Sequence, residues 1–550
     1  MKKISLIALL IAATLGLASC NSMQEVELAV SPNGAANKKD PGELRQGGTL
    51  TLPISEIPEQ QNPLHANATA PVSTLWGWYM PQMMSSDSEG NLSPNSHYLL
   101  DVSEEVREGK TVVTYTLNPQ ATFNDGTALD WRTFENTWRI NRGDDDAYQL
   151  SSSDGYNQIE SVRPGADEKQ AVVTYRHTYP WWRGLFGQLL HPSVTTAEDF
   201  NEGFLHHLPN EWGAGPYRVE SVDYPGGTVT FVPNEKWWGS TPKLDKVIFR
   251  QMESQASLNA FRAGEIDSVN ISNKNHLAAV LGMGKQAELH TALDTIVILL
   301  SLNAESPVLS DIAVREAVMS GIDRSLLATI QFTGMGYTED LPGSMTFLQN
   351  QEGYADILGE LISFDPDYAR DLLDRAGWVE SGDGIRVKEG ERLTLRYPLF
   401  GDSAAQKAIS TALQKMLRNI GVELKIQSRP SADFAKVLEE KDFDLIGSAV
   451  VKNDPNGTTY FRQQYYSDST LNLSSTGTAE IDAMIDELEK LPTAEEQNAR
   501  AVEIERVALG QFGLMPYANG PLTVAVKPGL ANVGSLTFGL IPKENIGWVK

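Results

Sequence analysis

The run Thr295-Ile296-Val297-Ile298-Leu299-Leu300-Ser301-Leu302-Asn303 is almost unbroken aliphatic sequence near the middle of a 550-residue chain. Successive side chains of a strand point to opposite faces, so a strand with one wet face alternates apolar and polar residues. This run does not alternate, and a strand covered on both faces is predicted. The passage before it, Gly282 to Glu288, is rich in Gly and polar residues and marks a lobe boundary. Near the far end, Leu522 to Val526 is another strand-like run that carries the chain back across that boundary. Two crossings make a hinge.

Outward from this run, strands and helices interleave. Val112–Leu117 and Ala171–Tyr175 alternate apolar with polar residues, and Val229–Val232 and Val247–Phe249 read likewise. Helical spacing covers Ser257–Ala263, Ile312–Ala328, Asp367–Ala376, Ala404–Asn419 and Ile481–Leu491. Asp365-Pro366 suits a helix start and Gly377 the position just past a helix end. An α/β body follows.

At the N-terminus, Lys2 and Lys3 precede an apolar stretch, Ile4 to Leu17, that ends at Ala18-Ser19-Cys20. The stretch is shorter than the roughly 20 apolar residues of a membrane span and reads as a signal peptide, residues 1–19. Cys20 stands where a bacterial lipobox has its cysteine and is the only Cys in the chain. That resemblance implies cleavage before Cys20 and a diacylglyceryl thioether on it. An ordinary signal followed by a buried structural Cys is the other reading. With no second cysteine there is no intrachain disulfide, and stability must come from burial. Residues 20–46 are Ser-, Asn-, Gly-, Lys- and Asp-rich, with Pro32 and Pro41, and read as a lipidated flexible tether. A random coil of about 25 residues spans roughly 25–30 Å.

The formal net charge is −26, from 71 acidic and 45 basic residues. Such a body is repelled by nucleic acid and by anionic lipid, and neither is an expected direct partner. Solubility explains the charge, and a preference for cationic solutes is the alternative.

A series of short motifs then runs in order from about Gly47 to the C-terminus. Ala121-Thr122-Phe123-Asn124-Asp125-Gly126-Thr127 is a tight turn with Gly at the φ > 0 position, and Asp130 fits the cap of a following helix. Gly213-Ala214-Gly215-Pro216-Tyr217, Pro233-Asn234-Glu235-Lys236-Trp237-Trp238-Gly239 and Gly264-Glu265-Ile266-Asp267 come next. Asp311-Ile312-Ala313-Val314-Arg315-Glu316-Ala317 through Asp323-Arg324, Ala369–Trp378, Ile420-Gly421-Val422 and Asp442–Leu445 complete the series. Each is weak alone. In this order, over almost the whole mature chain, they resemble the family 5 extracellular solute-binding proteins, the oligopeptide-, dipeptide- and nickel-binding receptors of ABC importers.

The resemblance implies a two-lobed, periplasmic-binding-protein-like fold (class II, large peptide-binding type) with a crossed-strand hinge. Lobe I would take 45–285 plus 513–550, with an extra subdomain at about 62–175, and lobe II 286–512. The expected partners are a peptide or other small solute, the permease subunits and, through Cys20, the membrane; the protein is expected to be monomeric and to need no cofactor. Relatives contact ligand through a loop that would be His65–Pro71 here, with Asn67 and Thr69 on it. The aromatic cluster Trp76, Trp78 and Tyr79 then lines the cleft wall or packs in the core. In relatives an aspartate a few positions ahead of a proline holds the peptide ammonium. The corresponding loop, Gly447-Ser448-Ala449-Val450-Val451-Lys452-Asn453-Asp454-Pro455, has Val451, Lys452 and Asn453 at those positions. Asp454 is the candidate anchor, with an Asx turn before Pro455 as the alternative; Gly447, Ser448, Asn453, Tyr460 and Phe461 are candidate neighbours.

Other functional classes find little support. Gly-x-Ser-x-Gly, His-Glu-x-x-His and a Walker loop are all absent, and Gly282-x-Gly284-x-x-Ala287 follows a helical stretch rather than a strand. The expectation is a binding protein and no enzyme. A metal chelate, haem or glycoside remains the rival to a peptide, and a surface sensor the rival to a transport component.

Overall fold

The computed structural model describes residues 28–31, 34–349, 351, 353–452 and 461–550; Cys20, Asn453, Asp454 and Tyr460 lie outside them. No helix among the described residues is long and apolar enough to cross a membrane.

Local signals in the sequence act as expected at several helix ends. Asp365 accepts from the N–H groups of Asp367 and Tyr368 at 3.0 and 2.9 Å and starts the helix Pro366–Arg375. Gly377, at φ +84°, follows its end. Asp130 caps Trp131–Asn141 by accepting from the Arg132 N–H at 2.9 Å. The single helix predicted over Ile312–Ala328 is two, Ile312–Ser320 and Arg324–Gln331. Asp323 starts the second by accepting from the N–H groups of Ser325 and Leu326 at 3.0 and 3.1 Å. At Gly321, between the two helices, a Cβ would lie 2.6 Å from Ile420 Cδ1. Asp323→Ala is expected to cost about 1 kcal/mol, measured by urea unfolding, as for other lost caps.

The sheets define the two lobes. In the first, Thr49–Ile54 pairs in parallel with Lys246–Gln251, which continues antiparallel through Thr228–Pro233 to Tyr217–Asp223. The subdomain sheet runs Leu99–Arg107, Lys110–Leu117, Gln170–Tyr175, Ile159–Pro164. Its core reaches on to Trp181, Trp182, Leu185 and Leu189, whereas helix Ala70–Tyr79 packs in the main core of the first lobe. The subdomain is therefore shifted C-terminally from the expected 62–175. In the second lobe Ile296–Leu302 lies between Leu445–Val451 and Leu514–Ala518, and Thr394–Phe400 pairs in parallel with Glu423–Arg429. Val297 through Leu302 are all buried, as the unbroken aliphatic run requires.

The crossings fall later than expected on both strands. Glu288–Leu293 pairs with Pro521–Val526 in the first lobe, and Ile296–Leu302 pairs with Leu514–Ala518 in the second. The chain thus changes lobes at Asp294-Thr295 and Asn519-Gly520, rather than at 285/286 and 512/513. The Gly-rich passage that suggested the earlier boundary is a turn inside the first lobe, between helix Lys274–Leu281 and strand Glu288–Leu293.

A second correction concerns the tether. The Ser31 N–H donates to the Thr291 carbonyl at 2.9 Å, and Ala35–Ala36 pairs with Gly534–Ser535. Asn532 Oδ1 accepts from the Lys39 N–H at 2.9 Å, its Nδ2 donates to the Lys39 carbonyl at 2.9 Å, and Leu44 is buried. Polar composition did not keep this part of 20–46 off the body, because its backbone groups find partners on first-lobe edges.

Candidate functional site

Both parallel strand pairs aim their carboxyl ends at the space between the lobes, where open α/β sheets hold ligands. In the first lobe those ends are Ile54 and Gln251; in the second they are Phe400 and Arg429. The loops just past them touch: Ser431 Oγ donates to Glu253 Oε2 at 3.0 Å, and Gly401 lies against the same carboxylate. Strand Leu445–Val451 also ends here, its next residue Lys452 donating its N–H to the Thr295 carbonyl at 2.6 Å. That bond fixes which amides face the neighbour. Lys452, Val450 and Ser448 face Ile296–Leu302, so the N–H groups of Val451, Ala449 and Gly447 point the other way along the edge. Strand Thr394–Phe400 flanks the start of this edge, where the Asp444 N–H donates to the Arg396 carbonyl at 3.1 Å, but no strand among the described residues forms a ladder with it. An unladdered strand edge is a template for an extended chain.

Gly447 pairs with Leu300, and a Cβ there would lie 2.7 Å from Tyr397 Oη. Ser448 pairs with Leu299; its buried hydroxyl has no hydrogen-bond partner among the described residues. On the first-lobe side, Asn67 and Thr69 are half-buried in the loop before helix Ala70–Tyr79. The Asn67 N–H donates to His65 Nδ1 at 3.1 Å, and Thr69 Oγ1 donates to Glu56 Oε1 at 2.6 Å. Burial pushes the Glu56 carboxyl up, Thr69 opposing, and no cation pairs with it among the described residues.

For the aromatic cluster the core-packing alternative holds, and the cleft reading of Phe461 is corrected. Trp76, Trp78 and Tyr79 are 3, 3 and 1 % exposed and pack in the first-lobe core. Trp78 meets Tyr217 edge-on at 5.3 Å, Trp76 lies 5.9 Å from Phe204, and Tyr79 stacks on Phe231 at 6.1 Å. Phe461 is 3 % exposed and packs on Tyr465 at 4.9 Å in the second-lobe core. Helix Ala70–Tyr79 is apolar nearly all round, so its aromatics are covered on every side. Asn453, Asp454 and Tyr460 lie outside the described residues.

The hinge carries two carboxylates that sequence reading did not single out. Glu339 accepts from the Asn519 N–H at 2.7 Å, from the Gly520 N–H at 3.0 Å and from the Tyr337 hydroxyl at 3.0 Å. Gly520 has φ +93°, and a Cβ there would lie 2.9 Å from the Phe332 ring. Asp294, on the other crossing, donates its N–H to the Gly520 carbonyl at 3.3 Å, and burial pushes its carboxyl up to about 6. Acidic residues next to Thr295 and in the loop after Thr333 were visible in the sequence. Their partners, far along the chain, were not.

Two lobes joined by a double crossing, with strand ends and an unladdered edge among the described residues between them, define a protein that encloses a solute. The model of the bacterial extracellular solute-binding proteins, family 5 (middle region), matches residues 95–472, and this chain belongs to that family. It is 30% identical over 531 residues to the oligopeptide-binding protein OppA of Mycobacterium tuberculosis, covering 95% of this chain and 88% of that one. It is 23% identical over 392 residues to the nickel-binding periplasmic protein of Escherichia coli, covering 66% and 72% of the two chains. Among solved structures, the periplasmic EDTA-binding protein EppA superposes with a TM-score of 0.81 at 24% identity, covering 95% and 99% of the chains. The folds agree along nearly their whole length.

Proposed function

We propose that this chain is the solute-capturing lipoprotein of an ABC importer, that its solute is a peptide held extended between the lobes, and that it performs no catalysis. The observation that carries the peptide reading is the edge of Leu445–Val451, whose outward amides at Gly447, Ala449 and Val451 offer main-chain hydrogen bonds to any sequence. The likeness to an oligopeptide-binding relative at 30% identity supports it. Glu56, beside Thr69 and with no cation partner among the described residues, is a carboxylate suited to a solute with a cationic end rather than an anionic chelate or haem. Asn67 and Thr69 on one side, and Gly447, Ser448 and the loop with Asn453 and Asp454 on the other, are the proposed contacts. Closure works by population shift, since the solute touches both lobes only when they are shut.

Export and anchoring through Cys20, on the outer face of the cell membrane, complete the reading. Native mass spectrometry of protein purified without refolding tests the ligand: a ladder of masses fitting short peptides is expected, and one recurring non-peptide mass rejects it. Cys20→Ser is expected to release the protein from the membrane fraction, read by radiolabelled palmitate incorporation and fractionation.

A further inference from the structure

The lobes also meet away from the hinge, and the contact is charged. Asp154, on the subdomain just before strand Ile159–Pro164, is buried. From the second lobe, helix Phe461–Tyr465 brings the Gln463 N–H to Asp154 Oδ2 at 3.0 Å and the Arg462 guanidinium to 4.0 Å from Oδ1. Arg462 donates from Nε to Glu489 Oε1 at 2.8 Å, pairs also with Asp486, and lies over the Tyr466 ring at 3.9 Å. The subdomain reaches back: Gln158 Nε2 donates to Glu489 Oε2 at 2.7 Å, and His177 Nε2 lies 2.8 Å from the Glu489 carbonyl oxygen. Beside them Trp181 Nε1 donates to Gln497 Oε1 at 2.6 Å.

Three carboxylates here share one guanidinium. Arg462 satisfies Glu489 and Asp486 at hydrogen-bond distance and leaves Asp154 the far edge of its charge. The lobes are joined covalently only at Asp294-Thr295 and Asn519-Gly520, so contacts away from those crossings are the ones a hinge opening would part. We propose that this contact is a proton-linked latch, in which shutting the lobes seats Asp154 against Glu489 and Arg462 and takes up one proton on the Asp154 carboxyl. The inference rests on the capture of a solute by lobe closure proposed above.

The electrostatics agree with the geometry. Burial, and then the Glu489 charge, push the Asp154 carboxyl up to about 7, with Arg462 and the Gln463 amide pulling it down. With the lobes apart it is hydrated, and its pKa returns to about 4. A group whose pKa is raised in the closed form favours closure fully at pH below the open value. That advantage is lost as pH rises through about 7.

The test needs no solute. In the full chain with Cys20→Ser, dyes on Ala166→Cys and Lys415→Cys report the lobe separation by energy transfer between pH 5.5 and 8.5. The closed-to-open ratio is expected to fall about ten- to thirtyfold over that range. Asp154→Asn is expected to remove that slope, and Glu489→Gln to move its midpoint to lower pH; circular dichroism confirms that both fold. A profile of Asp154→Asn that superimposes on its parent, sloping or flat, overturns the latch. A non-peptide mass from the purified protein would reject the peptide reading and leave this result untouched.

Discussion

Glu505→Leu is expected to destabilise the second lobe by about 3–5 kcal/mol, the scale of a buried polar network broken from one side. Glu505 is wholly buried in helix Ala494–Leu509. Its Oε2 accepts from Ser344 Oγ at 2.6 Å, and its Oε1 from the Met345 N–H at 2.7 Å and the Thr346 N–H at 3.0 Å. Thr346 Oγ1 and Tyr465 Oη donate to Oε1 as well, at 3.0 and 2.5 Å. Leucine nearly fills the volume, so the loss comes from orphaned donors and not from a cavity. Glu505→Gln keeps one acceptor oxygen and should lose about half as much. Urea unfolding followed by tryptophan fluorescence measures both; a leucine variant within about 1 kcal/mol of the parent would mean that water replaces the carboxylate. Tyr465 closes the short helix that follows residues 453–460, so the variant should also weaken solute binding.

Ala449→Pro is expected to reduce solute affinity by about ten- to a hundredfold while leaving folding nearly intact. The Ala449 amide points away from Ile296–Leu302, so proline there removes a donor offered to the solute in the proposed reading and no bond of that ladder. Ser448→Pro, one residue earlier, removes the bond to Leu299 and should lower stability instead. Titration calorimetry with the peptides recovered from the purified protein separates the two outcomes. Equal affinity of Ala449→Pro and its parent would show that the solute does not add to this edge.

Much of the architecture was legible because it is written locally. Asp365-Pro366 and Gly377 mark a helix by capping chemistry, and Thr295–Asn303 marks a doubly covered strand by its lack of alternation. The lobe boundary was misplaced because Gly282–Glu288 has the same composition whether it turns within a lobe or leaves it; only the pairing of Leu293 with Pro521 distinguishes the two. The sequence left Trp76, Trp78 and Tyr79 between cleft wall and core for a related reason. An apolar helix does not say in sequence which side faces a gap. Glu56 and Glu339 acquire meaning from Thr69, Asn519 and Gly520, and Asp294 from the Gly520 carbonyl that accepts its backbone N–H; the Glu339 and Asp294 partners lie on the second crossing.

The docked N-terminal segment has a consequence for life at the membrane. With the acyl chain on Cys20, as proposed, seven residues separate the anchor from Leu28, which packs against the first-lobe core. Even fully stretched they reach only about 25–30 Å, less than the diameter of the body they hold. The first lobe is thus kept on a short leash, its anchored side toward the bilayer. The search for a permease becomes a two-dimensional patrol with little freedom to tumble.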